Sequence, residues 1–378
     1  MTFDFDTIID RRFTDSTKHN RYKDTNILPM WVADMDFRSP PAIIEALADR
    51  VQHGIYGYTQ TPAELVEVIR ARLLRLYDWQ ILAEDLVFMP GVVPGLNIAC
   101  RAFTAPNEAV LTTTPIYPPF VAAPEYCGRE LKKVEAIHDE GRWHFPVDGL
   151  AAAAKGNARL LLLCNPYNPV GRALGREELA EVVDLCLRED LIICSDEIHC
   201  DLMFDGRKHV PTATLGGDAA DITVTLLAPS KSFNLAGFGG SFAVIQNPGL
   251  RERFKHEMRG IVPNLTIMAY VSMLAAYRDS NDWLQALIDY LQGNRDYLYQ
   301  ALDHVPGISM NHVEATYLAW LDVSGLELDD PPAFFEAAGV GMSEGYRYGD
   351  RRFMRLNFGC SRSVVAAAVD RIEAAVSR

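Results

Sequence analysis

The sequence predicts an α/β fold built on a mostly parallel sheet, followed by a smaller α+β part. Three observations predict it. Five short runs, Leu86–Met89, Val110–Thr113, Leu160–Cys164, Leu191–Ser195 and Ile222–Leu227, are apolar almost throughout, as strands covered on both faces must be. Helical patterns lie between them, most clearly over Arg176–Arg188, and such alternation makes a parallel sheet wrapped by helices. After about residue 280 the pattern changes to a long helix and well-spaced single strands.

The elements follow in chain order. The first 40 or so residues have little periodicity and hold Trp31 and several aspartates, so they should wrap over the rest. Ser39-Pro40-Pro41 opens a helix to about His53, with Ile43, Ile44, Leu47 and Val51 on one face. Thr61-Pro62-Ala63-Glu64 reads as a capping box starting a helix to about Tyr77. Gly91-Val92-Val93-Pro94-Gly95 leaves the first strand and opens another helix. In the last part, a helix over Asp282–His304 leads to a strand at Tyr317–Val323. A helix at Pro331–Ala338, a strand at Phe353–Asn357 and a terminal helix from Ser361 complete the chain.

Composition narrows the function. The 378 residues allow two or three domains, and 49% hydrophobic with 23% charged residues is ordinary globular composition. A net charge of −14 argues against broad nucleic-acid or anionic-membrane binding. The seven cysteines form no CxxC pair, which suits reduced thiols and gives no zinc spacing and no metal site. The acidic start MTFDFDTIIDRRF lacks a secretory apolar core, and no apolar run nears the ~20 residues of a membrane span. A cytoplasmic protein is expected.

In parallel α/β sheets ligands bind beyond the carboxyl ends of the strands, and chemistry-bearing residues stand just there. The backbone N–H groups of the Gly91–Gly95 turn suit a phosphate at a helix N-terminus, although a lone Gly-rich turn is a weak signal. Tyr117 follows the second apolar run. Asn165-Pro166-Tyr167-Asn168-Pro169-Val170-Gly171 forces a turn that fixes Asn168 at a strand tip, or is simply a loop. Asp196, in Asp196-Glu197-Ile198-His199, needs a cationic partner if buried, unless it caps a helix. Lys231, in Ala228-Pro229-Ser230-Lys231-Ser232-Phe233-Asn234, stands among small residues. A partly buried lysine there has a depressed pKa and can form a Schiff base, whereas a surface lysine would not.

In their order, NPYNPVG, SDEIH, APSKSFNLAG and FMRLNFG resemble the fold-type I pyridoxal-phosphate (PLP) enzymes, the aspartate-aminotransferase superfamily, over nearly the whole chain. The resemblance implies a large PLP-binding domain with a seven-stranded, mostly parallel sheet over residues 46–282. It implies a small α+β domain from residues 1–45 and 283–378. Lys231 is then the Schiff-base lysine and proton carrier, and Asp196 the partner of the pyridinium nitrogen. Asn168 bonds the phenolic oxygen, Tyr117 stacks on the ring, and Val92, Val93 and Ser230 hold the phosphate. Arg355 clamps the substrate α-carboxylate. Tyr58 reaches the phosphate of a partner subunit, which implies a homodimer with shared sites.

Trp31-Val32-Ala33-Asp34-Met35-Asp36-Phe37, with DEIH and APSK, is similar to the MalY/PatB branch, the cystathionine β-lyases. This places Ala33 and Asn168 beside the substrate and His199 on the cofactor side, where many aminotransferases carry a tyrosine; a solvated or structural imidazole is the plainer reading. Gly239 stands where a phosphate-binding arginine is usual. The resemblance implies β-elimination from a cysteine thioether such as L-cystathionine, giving a thiol, pyruvate and ammonia. An aminotransferase, or a PLP-binding protein without turnover, stays open beside it.

Overall fold

The computed structural model describes residues 3–139 and 141–377. Its centre is a seven-stranded sheet: β1 (Leu86–Met89), β2 (Ala109–Thr114), β3 (Glu130–Glu135), β4 (Ala158–Cys164), β5 (Ile192–Asp196), β6 (Thr223–Leu227) and β7 (Ser241–Val244). The order is β1-β7-β6-β5-β4-β2-β3. Only β7 runs antiparallel to its neighbours. The alternation along β4 explains why the central strands read as continuous apolar runs. Leu160 and Leu162 pack with Leu96 and Ile98 on one face, and Leu161 and Leu163 with Leu179 and Val183 on the other. Each such leucine is worth about 1.5–3 kcal/mol of burial.

Two strands are absent from the expected elements. Glu130–Glu135 is a charged, partly exposed edge strand on β2, and its lysines and glutamates keep that edge from pairing further. Ser241–Val244 is short and follows Gly239-Gly240, so no run announces it.

A second sheet holds β8 (Ser309–Met310), β9 (Leu318–Asp322), β10 (Ser343–Glu344) and β11 (Phe353–Asn357), all antiparallel, in the order β8-β9-β11-β10. The helix Asn281–Leu302 packs against the terminal helix Arg362–Val376 beside it. The N-terminal segment joins this part, since Leu28–Pro29 pairs in parallel with Val340–Gly341.

Two expectations need correction. The helix Pro41–His53 forms, but its apolar face does not turn inward as a whole: Ile43 is buried, while Ile44 and Val51 are exposed. The helix Ala63–Tyr77 lacks the Thr61 capping box. Pro62 occupies the N-cap, and the Thr61 hydroxyl lies 2.9 Å from the Tyr270 hydroxyl instead. Tertiary hydrogen bonding won over the local cap.

All seven cysteines are free and all but Cys127 are buried. The neighbouring Cys100 thiol and the nearby Arg129 and Arg101 draw the Cys127 thiol below its ordinary range, against partial burial. No helix among the described residues is long and apolar enough to cross a membrane.

Candidate active site

The carboxyl ends of β4, β5 and β6 open into a cavity of about 490 Å³. Its walls include Ala33, Val92, Val93, Tyr117, Asn168, Asp196, His199, Ser230, Lys231, Gly239 and Arg355. Every expected site residue is therefore brought together except Tyr58. That tyrosine is fully exposed and lies outside the cavity.

Lys231 follows β6 and forms no ion pair with a carboxylate among the described residues. Its Nζ donates to the Ala33 carbonyl at 2.7 Å. Burial, and then the charge of Arg355, lower its pKa to about 8 despite Asp34 and Asp196. Asp196 ends β5, and its Oδ1 accepts from the Ile198 N–H at 3.1 Å. A turn follows rather than a helix, so Asp196 is not a helix cap. No cationic side chain forms an ion pair with it among the described residues. Burial raises its carboxyl to about 7, against the Ile198 hydrogen bond and the Lys231 charge.

Arg355, on β11, is the best anchored cation of the cavity. Its Nη1 donates to Asn168 Oδ1 at 3.0 Å and its Nη2 to the Trp31 carbonyl at 2.8 Å. Its guanidinium carbon lies 4.8 Å from the centre of the Tyr348 ring, while its buried Nε has no partner. His199 is buried, 6.1 Å from Tyr317 between ring centres, and its Nδ1 is unpartnered. Burial and the charges of Lys231 and Arg355 push its pKa well below the ordinary value. It is thus a neutral, enclosed imidazole rather than a solvated one.

Backbone geometry prepares one end of the cavity. Gly91, at φ 133°, lets the helix Val92–Phe103 begin at the wall. The first N–H groups of a helix have no internal acceptors and carry its positive dipole end. Gly239 sits at φ 69°, and an added Cβ would lie 3.4 Å from the Pro90 carbonyl. The Cβ distance is an ordinary contact, and it is the positive φ that favours glycine over arginine there.

Several cavity residues were not expected from sequence: Ser343, Glu344, Arg347 and Tyr348 on the wall, and Tyr317, whose hydroxyl donates to the Ala33 carbonyl at 2.9 Å. The one available signal is the Gly345-Tyr346-Arg347-Tyr348-Gly349 stretch, an aromatic–arginine motif held between glycines.

With this geometry the chain belongs to the class I and II aminotransferase family, whose sequence pattern matches residues 25–372. Within the family it falls on the MalY/PatB branch. It is 37% identical over 385 residues to cystathionine β-lyase PatB of Bacillus subtilis (strain 168), covering 99% of this chain and 100% of that protein. The crystal structure of OvoB matches with a TM-score of 0.97 and 47% identity, covering 99% of each chain. The structure of cystalysin from Treponema denticola, which contains a pyridoxal 5′-phosphate cofactor, matches with a TM-score of 0.96 and 32% identity. It covers 100% of this chain and 99% of that one.

The residues present fit that cofactor. A lysine without a carboxylate faces the cavity, as an amine must to bond an aldehyde carbon. A buried carboxylate forms no ion pair among the described residues, and the Lys231 charge does not offset its desolvation; a protonated ring nitrogen would. A helix N-terminus opens onto the same space, as a phosphate requires.

Proposed function

We propose that this chain catalyses PLP-dependent β-elimination from cysteine thioethers, of which L-cystathionine is one, giving a thiol, pyruvate and ammonia. The observation that carries the reading is Lys231, whose Nζ has only the Ala33 carbonyl as partner among the described residues, in a cavity it shares with Asp196 and Arg355. Full-length likeness to cystathionine β-lyase PatB supports elimination over transamination.

Bound PLP supplies an electron sink for the negative charge that develops at the substrate Cα. The Val92 and Val93 amides and the Ser230 hydroxyl hold its phosphate, and Tyr117 offers an aromatic face to its ring. Asn168 keeps its amide nitrogen for the phenolic oxygen, since its carbonyl oxygen is already taken by Arg355. Asp196 holds a proton on the ring nitrogen. Arg355 receives the α-carboxylate, its guanidinium pre-oriented by Asn168 and the Trp31 carbonyl. The Ala33 carbonyl steadies the Lys231 amine. That amine takes the proton from Cα, and its lowered pKa of about 8 leaves a useful neutral fraction near neutrality. The Cβ–S bond then breaks with its electron pair on sulfur, and the Lys231 ammonium returns a proton to the thiolate. Water converts the remaining three-carbon fragment to pyruvate and ammonia.

The working unit in this reading is a homodimer in the cytoplasm, with residues 46–282 as the cofactor domain and 1–45 with 283–378 as the small domain. The exposed Ile44, Val51, Ile55 and Tyr56, next to the exposed Tyr58, support a second copy covering that surface.

The test supplies the PLP-loaded protein with L-cystathionine and no 2-oxoacid, and measures pyruvate. Pyruvate release is expected. Turnover that appears only after a 2-oxoacid is added identifies an aminotransferase instead.

A further inference from the structure

We infer that Arg347 selects thioethers whose thiol half carries a carboxylate. This rests on the β-elimination reading above, and it assigns a substrate class that the reading leaves open.

Arg347 belongs to the short turn Gly345–Tyr348 between β10 and β11. That turn is pressed onto its neighbour, because a Cβ at Gly345 would fall 1.9 Å from the Phe353 carbonyl oxygen and 2.3 Å from that of Asp350. Tyr348 pins its far end. The Tyr348 carbonyl accepts from the Ile116 N–H at 2.9 Å, and its ring lies beneath Arg355. Arg347 therefore projects from a rigid base into the cavity wall.

The charges around it are unevenly used. Arg347 Nε lies 2.9 Å from Glu344 Oε2, and the Arg347 side chain is 53% exposed while that of Glu344 is 8% exposed. Glu344 also pairs with Arg21 at 3.2 Å, and Arg21 with Glu336 at 2.9 Å. One buried carboxylate thus forms an ion pair with Arg347 on its Nε side, and both terminal nitrogens remain without a hydrogen-bond acceptor among the described residues. The other cations of the cavity, Lys231 and Arg355, serve the reacting α-carbon end. A guanidinium fork held at one nitrogen and open at two matches a carboxylate in two parallel hydrogen bonds. The distal arm of L-cystathionine carries such a group; a plain S-alkyl cysteine does not.

The experiment compares S-(3-carboxypropyl)-L-cysteine with its terminal amide, which has nearly the same shape and no charge. Wild-type PLP-loaded enzyme should favour the acid roughly tenfold or more in kcat/KM for pyruvate release. In Arg347→Gln that ratio should collapse to within about threefold, and Arg347→Lys should keep part of it. The α-methyl analogues of both compounds have no α-proton to lose, and their Kd values, read from the cofactor spectrum, should show the same discrimination. An unchanged ratio in Arg347→Gln overturns the inference. So does an equal loss on both substrates, which would mark a structural role. If wild type releases no pyruvate from either compound, the lyase reading fails, and the Kd ratios still decide whether Arg347 reads the carboxylate.

Discussion

Residues 33–36 separate two regions rich in buried charge, and the two are built on opposite terms. Beneath this strap the charges are closed on one another. Arg11 reaches Asp34 and Asp36 at 2.7 Å each, Lys18 reaches Asp36 at 2.8 Å, and His19 Nε2 lies 3.0 Å from Asp36. Burial works against ionised Asp36, but Lys18 and His19 outweigh it and hold the carboxyl well below the usual range. Above the strap, Lys231 has one carbonyl and Asp196 one backbone N–H. The same contrast recurs within one strand end. Glu197 accepts from the Ser195 hydroxyl at 2.9 Å and the Thr212 N–H at 3.0 Å, and pairs with His209 at 2.7 Å. Its neighbour Asp196 is left nearly bare. The closed charges form ion pairs with one another, whereas Lys231 and Asp196 form none among the described residues.

The largest effect expected from breaking this contrast is at Lys231. Lys231→Ala should lower pyruvate formation by about 10⁴-fold, because no other amine on the cavity wall replaces it. The long-wavelength absorbance of the PLP-loaded protein should shift as well. Residual activity within tenfold of wild type would show that Lys231 is not the proton carrier. In cofactor-free wild type, the rate of PLP capture should rise with pH through about 8, as Lys231 loses its proton.

Asp196→Asn should cost activity about 10²–10⁴-fold and yet stabilise the cofactor-free protein. The sign follows from linkage. A carboxyl raised to about 7 keeps its proton longer in the folded than in the unfolded chain. Folded stability therefore falls as pH rises from the ordinary value near 4 to about 7. The variant removes that loss, on the order of a few kcal/mol at pH 8. Urea unfolding of cofactor-free wild type and variant across pH 5–8 reads it directly, and parallel curves would show that Asp196 is not strained.

On the closed side the expectation reverses. Lys18→Met strands Asp36 among fewer cations and Glu197→Ala strands His209, so each should destabilise by about 3–5 kcal/mol in urea unfolding. The Asp36 contribution is present above the unfolded carboxylate range near 4. It is lost as pH falls towards its depressed folded value, so Lys18→Met should flatten the acid limb of the stability curve. A loss under 1 kcal/mol in both variants would mean that paired and unpaired charges do not differ as described.

Much of this was legible in sequence, and the physical reason is local. β4, β5 and β6 are covered on both faces, so their apolar runs were unambiguous, and the residues just past them were the place to look for a site. What stayed hidden depends on contacts between distant segments. β3 is a charged edge whose pattern looks like a loop. Tyr317 and Arg347 gain meaning only when the small sheet folds over the ends of the large one. The outward face of the helix Pro41–His53 carries the same apolar periodicity as an inward one, because sequence pattern does not tell a core face from an exposed apolar one.

The smallest predicted effect probes the strap itself. The Ala33 carbonyl accepts from Lys231 Nζ at 2.7 Å and from the Tyr317 hydroxyl at 2.9 Å, which uses both of its lone pairs. Tyr317→Phe removes one donor at a cost of about 0.5–1.5 kcal/mol. Asn357 still holds the neighbouring Val32 and Asp34 carbonyls, so the strap should stay in place. The loss should then appear at Lys231, as a two- to tenfold drop in kcat with the pH dependence of kcat displaced from that of wild type. A drop confined to thermal stability, with the pH profile superimposable on that of wild type, would place Tyr317 with the closed region below the strap instead of with the open one above it.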